Sequence, residues 1–391
     1  MNLIVTGGWG YGNIGDEAIA STTIFLLDKY FPKYNKIYFS YSTSEFRRHH
    51  GLNALRSIHS LIEKDVNSTE NLKQYIENFI GRDNEFSRCL SAGDILFMSG
   101  GGYITGGWTD QIISRIIEIL VAKKRGAKVF LVGQSIGPIY DSQLRDMMIY
   151  ALKQVDYIAV RDNSSLEYLG ACGIDNVRVI PDLAILVSDI YPRRDNTYEI
   201  CAMTAGYTKY QSMTAHGEAA NPFIRVLGKV VNRYYLINYK KGIDALMKYS
   251  SHQGKLKFIL STDWKYDARY TSKIIGDNNI KNCEVIKHAT VRELCENISE
   301  CSFMISSKMH PLIIATSYEI PTLGISYNYK MDDFMAMIGR RDSCIDNYSF
   351  DLSRCKKIIQ QENKKRVDAN LIAELKKQVY DTFKDLSETK V

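Results

Sequence analysis

The sequence has no long hydrophobic run, little proline, no patterned cysteine and no large excess of either charge. Its longest apolar stretches, such as Ile112–Val121, are broken by residues like Ser114, Arg115 and Glu118, well short of the roughly 18 to 20 residues a spanning helix needs. Met1–Val5 passes directly into a glycine-rich loop with no basic segment or small-residue cleavage site of a signal peptide, so the expected location is cytoplasmic. The eight cysteines, Cys89, Cys172, Cys201, Cys283, Cys295, Cys301, Cys344 and Cys355, show no CxxC pair and no Cys/His spacing suited to zinc. They read as reduced small hydrophobes, and no metal is expected. Fifty Lys+Arg against 44 Asp+Glu leave +6. That suits an anionic substrate, permits peripheral contact at the inner face of the plasma membrane, and is far below what nucleic acid demands. With 45% hydrophobic and 24% charged residues, the 391-residue chain is not disordered, collagenous or coiled-coil, and its length favours two domains.

What is present is glycine, 26 residues against seven prolines, and its placement matters. Leu3–Thr6 reads as a strand, Gly7–Glu17 as a glycine loop and Ala18–Lys29 as a helix. Further strands are expected at Lys36–Ser40, Asp94–Met98, Lys128–Val132, Tyr157–Val160 and Val177–Ile180, with helices at Asp110–Arg125 and Gln143–Lys153. Near-continuous apolar strands alternating with helices predict an α/β fold with parallel sheets covered on both faces. After a linker at Ser188–Thr197 the alternation resumes, with strands Glu199–Met203, Lys255–Ser261, Cys283–Ile286, Ser302–Ile305 and Thr322–Ser326 and a helix Val291–Ser299. The expected organisation is a Rossmann-like domain over 1–190, a second over 195–345 with a long loop at 207–253, and a helical tail over 346–391.

Ligands bind beyond the C-terminal ends of strands in such sheets. Five polar or glycine-rich loops are expected there: Gly10–Asp16, Gly100–Tyr103, Gly133–Gly137, Arg161-Asp162 and Ser306–His310. Their convergence predicts a cleft between the domains with backbone donors, two cations and one histidine. Gly10-Tyr11-Gly12-Asn13-Ile14-Gly15 satisfies GxGxxG, but the second strand ends Phe39-Ser40-Tyr41-Ser42 without the acid a dinucleotide ribose requires. Anion binding by backbone N–H groups at a helix N-terminus remains; the plainer alternative is a tight turn with Asp16 as N-cap. His310 alone among the seven histidines sits at a strand-to-helix junction with a cation, Lys308, two residues before it. The other six read as surface or loop residues. Packing of His310 in its helix, and an ion pair between Arg161 and Asp162, are the plainer readings of those elements. The candidate donor- or phosphate-binding positions are Gly10, Gly12, Asn13, Gly15, Asp16, Gly101, Gly102, Gln134, Ser135 and Ser307. Trp9, Tyr103 and Tyr207, together with Trp108, are candidates for stacking on an acceptor sugar.

The run Gly10-Tyr11-Gly12-Asn13-Ile14-Gly15-Asp16-Glu17-Ala18-Ile19 resembles the N-terminal signature of the polysaccharide pyruvyl transferase family. Asp94–Gly102, Gly133–Pro138, Val160–Asp162 with Ser165 and Leu169, and Ser306–His310 leading to Ile320-Pro321, Tyr327 and Lys330 are similar to that family in kind and order. The resemblance implies a GT-B-like fold of two facing Rossmann-like domains. It also implies transfer of pyruvate from phosphoenolpyruvate, a co-substrate with no other cofactor, to two hydroxyls of a sugar, the acceptor being free or linked to a lipid diphosphate. It assigns catalytic roles to Arg161, Lys308 and His310, Lys308 standing where the family's Arg-x-His element has Arg. On that reading His310 is a general acid and the two cations hold the donor. A nucleotide-sugar glycosyltransferase, with Glu319 on the ribose, and a non-catalytic sugar-phosphate-binding protein are the alternatives.

Overall fold

The computed structural model describes residues 1–62, 71–106, 108–194, 200–203, 237, 239–260, 265–287, 290–326, 328–347, 349–362 and 366–388. The expected loop residues Tyr207 and His216, together with His288 and Tyr327, lie outside them. The chain forms two compact units, one of Met1–Leu183 with Leu375–Val391 and the other of Ala184–Glu374.

Unit 1 is built on strands β1 (Asn2–Thr6), β2 (Asn35–Ser40), β3 (Leu55–Arg56), β4 (Ile95–Met98), β5 (Gly101–Ile104), β6 (Lys128–Ile136), β7 (Tyr157–Val160) and β8 (Val177–Val179). They lie in the order β3-β2-β1-β4-β6-β7-β8, with β5 pairing to β6, and every pairing is parallel. The helices are α1 (Ile14–Tyr30), α2 (Thr43–His50), α3 (Leu72–Gly81), α4 (Glu85–Arg88), α5 (Thr109–Lys124), α6 (Ser142–Leu152) and α7 (Asn163–Ala171). Strand β4, Ile-Leu-Phe-Met, is buried along its whole length, as a central parallel strand covered on both faces must be.

Unit 2 holds α8 (Val187–Ile190), β9 (Ile200–Met203), α9 (residues 239–251), β10 (Leu256–Leu260), α10 (Lys265–Asp277), β11 (Cys283–Lys287), α11 (Val291–Ser299) and β12 (Met304–Ser306). It continues through α12 (Met309–Ser317), β13 (Thr322–Ser326), α13 (Tyr329–Met337), β14 (Cys344–Asp346) and α14 (Leu352–Glu362) into α15 (Ala369–Glu388). Its parallel sheet runs β11-β10-β9-β12-β13-β14, the doubly wound order whose direction of winding reverses between β9 and β12.

Four expectations need adjustment. The long loop expected at 207–253 is helical over residues 239–251, which form α9, while residues 207–236 and 238 lie outside those described. Gly133–Gly137 and Gly100–Tyr103 are largely strand: β6 continues through Gln134 and Ser135 to Ile136, after a register shift between Val132 and Gln134, and β5 pairs alongside it. A Cβ on Gly100 would stand 2.8 Å from the Gly133 carbonyl oxygen, so these glycines serve a close approach of two backbones rather than a turn. The expected linker at Ser188–Thr197 begins inside α8. The residues set apart as a tail over 346–391 divide instead: β14 and α14 complete unit 2, and from Leu375 onward α15 belongs to unit 1.

Candidate functional site

The loop after β1 is held from below. Trp9 is 1% exposed, its indole N–H donates to the Phe39 carbonyl (2.7 Å), and its ring fills the space a Cβ on Gly7 would need. Tyr103 is buried against Gly8 and Gly101, its hydroxyl donating to the Ser99 carbonyl (2.8 Å). Both are wall, with no face for a sugar. Gly10, at φ +80°, donates its N–H to Glu17 Oε1 (2.6 Å). Asn13, not Asp16, caps α1, accepting the Gly15 N–H (3.2 Å). Two of the N–H groups suited to an anion are thus committed within the loop, and Asp16 and Glu17 already occupy the first helical turn, where carboxylates complement the helix dipole.

Asp16 is half-buried and accepts from Asn13 Nδ2 (2.9 Å). Removal of its carboxyl from water, reinforced by Glu17 and Asp182 and opposed by the Arg161 guanidinium and Asn13, pushes its pKa up to about 7. Burial disfavours the charged form, while the residual exposure keeps the group open to proton exchange. Arg161 leaves the end of β7 and is buried. Its Nε donates to Ser135 Oγ (2.8 Å) and its Nη1 to Asp182. Asp162, its partner only on the plainer alternative reading, caps α7, accepting from the Ser165 N–H (2.8 Å), and receives the Ser135 hydroxyl. Ser135 is therefore the bridge between Arg161 and Asp162. Gln134 is fully buried and donates to Ser99 O and Tyr103 Oη. Its side chain is thus engaged beneath the surface of unit 1.

Sequence reasoning missed a second polar layer. His50, expected at the surface, has a side chain 3% exposed, with Nε2 2.8 Å from Glu17 Oε2. Glu17 thus links His50 to the Gly10 N–H and clamps the loop. His59, likewise expected at the surface, lies with Nδ1 3.0 Å from Ser114 Oγ. Arg115 and Glu118, read as interruptions of an apolar run, are both fully buried and paired at 2.7 Å. Thr6 Oγ1 donates to the same carboxylate oxygen (3.1 Å). Their i, i+3 spacing inside an apolar helix was a usable signal for this pair; Glu17 with His50 offered none.

In unit 2 the sequence Ser306–His310 forms the β12-to-α12 turn. Ser306 Oγ accepts the Lys308 N–H (2.9 Å), Lys308 is the N-cap residue, and His310 is the second residue of the helix. Lys308 and His310 are partly exposed and Ser307 is buried. The turn stands where the winding of the second sheet reverses, the position at which doubly wound sheets bind ligands. Glu319 sits at the other end of α12, in a left-handed conformation (φ 60°), its Oε2 3.6 Å from Arg366 Nη1. It thus precedes β13 and faces away from the strand C-termini where a ribose would lie. The structure therefore brings Gly10, Gly12, Asn13, Gly15, Asp16, Gly101, Gly102, Gln134, Ser135 and Arg161 into one unit, and Ser307, Lys308 and His310 into the other.

This is the architecture of the GT-B class, an α/β fold with two Rossmann-type units and parallel sheets. The chain is similar to the UDP-GlcNAc 2-epimerase of Methanocaldococcus jannaschii, with TM-score 0.59, 12% identity and 99% of each chain covered. It is similar also to the α,α-trehalose 6-phosphate synthase of Burkholderia multivorans, with TM-score 0.54, 9% identity and 98% and 95% of the two chains covered. At such identities the likeness is one of fold. The profile of the polysaccharide pyruvyl transferase family matches residues 13–329, and the chain belongs to that family. It is also 23% identical over 275 residues, 67% of this chain, to the amylovoran biosynthesis protein AmsJ of Erwinia amylovora, of whose length the match spans 63%.

Proposed function

We propose that the protein transfers pyruvate from phosphoenolpyruvate to two hydroxyls of a sugar during the synthesis of a cell-surface polysaccharide. The observation that carries this reading is the Ser306–His310 turn at the reversal point of the second sheet, within the stretch that matches the family. The relative named for amylovoran biosynthesis supports a polysaccharide acceptor. In the reaction the methylene carbon of the donor takes up one proton and becomes a methyl group. Two hydroxyl oxygens bond to the adjacent carbon, and phosphate leaves from it. Of the two hydroxyl protons, one balances the proton spent on the methylene and the other leaves with phosphate.

His310 supplies the proton to the methylene carbon or to the departing phosphate, and Lys308 holds a donor anion. Asp182 already balances the charge of Arg161, so Arg161 attracts an anion best while Asp16 is protonated. General acid catalysis contributes about 10² to 10⁴ in rate. His310→Ala should therefore fold, as judged by circular dichroism, and lose at least about 10²-fold of its phosphate release from phosphoenolpyruvate in the presence of acceptor. Lys308→Arg, which keeps the charge, should retain turnover. Mass spectrometry with galactosides, mannosides and hexosamine-linked lipid diphosphates should find the acceptor gaining pyruvate less water. Near-wild-type turnover by His310→Ala would remove the histidine from the mechanism, and release of UDP from UDP-glucose in place of phosphate would replace the reaction.

A further inference from the structure

Trp9 and Tyr103 are walled in, yet unit 1 does present aromatic faces. Four aromatic side chains of the described residues are exposed, and three of them, Tyr11 at 54%, Trp108 at 39% and Tyr140 at 51%, follow the C-terminal ends of strands β1, β5 and β6. Tyr41, just after β2, packs edge-on against Tyr11 with centroids 5.5 Å apart. Its hydroxyl donates to Gln111 in the first turn of α5, whose cap residue is Trp108. The ring of Tyr140 covers Gly106, where a Cβ would come within 2.9 Å of it, and the Gly106 N–H donates to the Pro138 carbonyl (2.9 Å). Tyr11 and Tyr41 are thus in ring contact, and Trp108 and Tyr140 stand on the neighbouring loops, so the four aromatics follow, as a rim, the C-terminal ends of the strand series β2-β1-β4-β6, with β5 alongside β6. At a strand spacing near 4.8 Å, the rim is roughly 15 Å long, the reach of several sugar rings rather than one.

We infer that this rim is the acceptor subsite, a platform on which the pyranose rings of a neutral oligosaccharide stack. The carbohydrate class follows from the charge of the loops: residues 7–13, 41–42, 105–110 and 137–141 contain no lysine or arginine and carry Asp110 and Asp141. These loops themselves offer a phosphorylated or nucleotide ligand no cation, and Arg115, whose Nη2 lies 3.4 Å from Tyr41 Oη, is fully buried, whereas hydroxyls find carboxylate acceptors beside aromatic faces that cover C–H surfaces. The rim is anchored from beneath, since the loop bearing Tyr11 is clamped by Glu17. An ordered platform loses little entropy on binding. The role as acceptor subsite rests on the transferase reading above; the affinity for glycan is a property of the rim itself.

The test uses the full chain, an array of immobilised neutral oligosaccharides, and calorimetry with phosphoenolpyruvate. Wild type should be retained by a subset of the glycans. Tyr11→Ala, Trp108→Ala and Tyr140→Ala should each bind them roughly tenfold more weakly or worse, the loss typical of an anchoring aromatic, with melting temperature and phosphoenolpyruvate affinity unchanged. Tyr150→Ala, at the exposed tyrosine on α6, should behave as wild type. Titration with the retained glycan should change the tryptophan fluorescence of wild type, and Trp108→Ala should lose that response. Rim variants that keep wild-type affinity, or a wild type retained by no glycan, overturn the platform. Rim-dependent glycan binding in a protein that neither binds phosphoenolpyruvate nor releases phosphate from it upholds the platform and removes the transferase reading instead.

Discussion

Asp16 is the residue on which the local charge balance turns. Arg161 already faces Asp182 and, through Ser135, Asp162, so an ionised Asp16 adds a further negative charge to a cluster that holds one cation, and a protonated one adds none. The sign for stability follows from the raised pKa, about 7 against an ordinary 3.8. Between those values the folded chain holds a proton the unfolded chain has released, so stability falls as pH rises through this window and levels off above it. Asp16→Asn keeps an oxygen for Asn13 Nδ2 and carries no charge. Its stability relative to wild type should therefore improve from pH 4 to pH 7 and then stay constant. Urea denaturation of both proteins at several pH values checks this, and parallel pH profiles would show that Asp16 does not titrate near neutrality.

The glycine loop between β1 and α1 is the element that sets the site, and its glycines are not equivalent. Gly10 and Gly12 both adopt positive φ, +80° and +79°. A methyl group on Gly12 would meet nothing within 4 Å, whereas on Gly10 it would stand 2.3 Å from Ser40 Oγ and 2.6 Å from the backbone nitrogen of Ser42. Gly12→Ala should cost only the left-handed penalty, about 1 to 2 kcal/mol, and Gly10→Ala roughly 2 to 5 kcal/mol once the steric clash is added. Equal losses in chemical denaturation would mean that the loop is not pinned against the end of β2. The same distinction should appear in function, with Gly10→Ala displacing Tyr11 and the acceptor rim while Gly12→Ala leaves them in place.

At the scale of the whole molecule, the chain returns to where it began. From Leu375 onward α15 is part of unit 1, with Val379 and Phe383 fully buried and the Phe383 ring 5.4 Å from that of Phe97 on β4. Phe383→Ala should therefore destabilise the protein by about 3 to 5 kcal/mol, read as a lowered unfolding midpoint, and a loss under about 1 kcal/mol would show that the helix end is dispensable to the core. The sequence by itself determined the alternation of strand and helix, the parallel class, the division into two Rossmann-type units and the position of His310. These rest on periodicity and glycine placement, which are properties of short stretches. It misjudged Gly133–Gly137 as a loop because a glycine looks the same whether it makes a turn or admits a second backbone. Its plainer alternative for Arg161, an ion pair with the neighbouring Asp162, fails because a residue that caps a helix turns its side chain onto that helix, and Arg161 meets Ser135 on β6 and Asp182 after β8 instead. Only the tertiary structure decided that Asp182 and Ser135 hold Arg161, that Glu17 and His50 clamp the loop, that the pKa of Asp16 rises, and that Trp9 and Tyr103 are walls while Tyr11, Trp108 and Tyr140 face outward. Each of these depends on burial or on a partner distant in the chain, and the energy of a charge or an aromatic face is set by what surrounds it rather than by what precedes it.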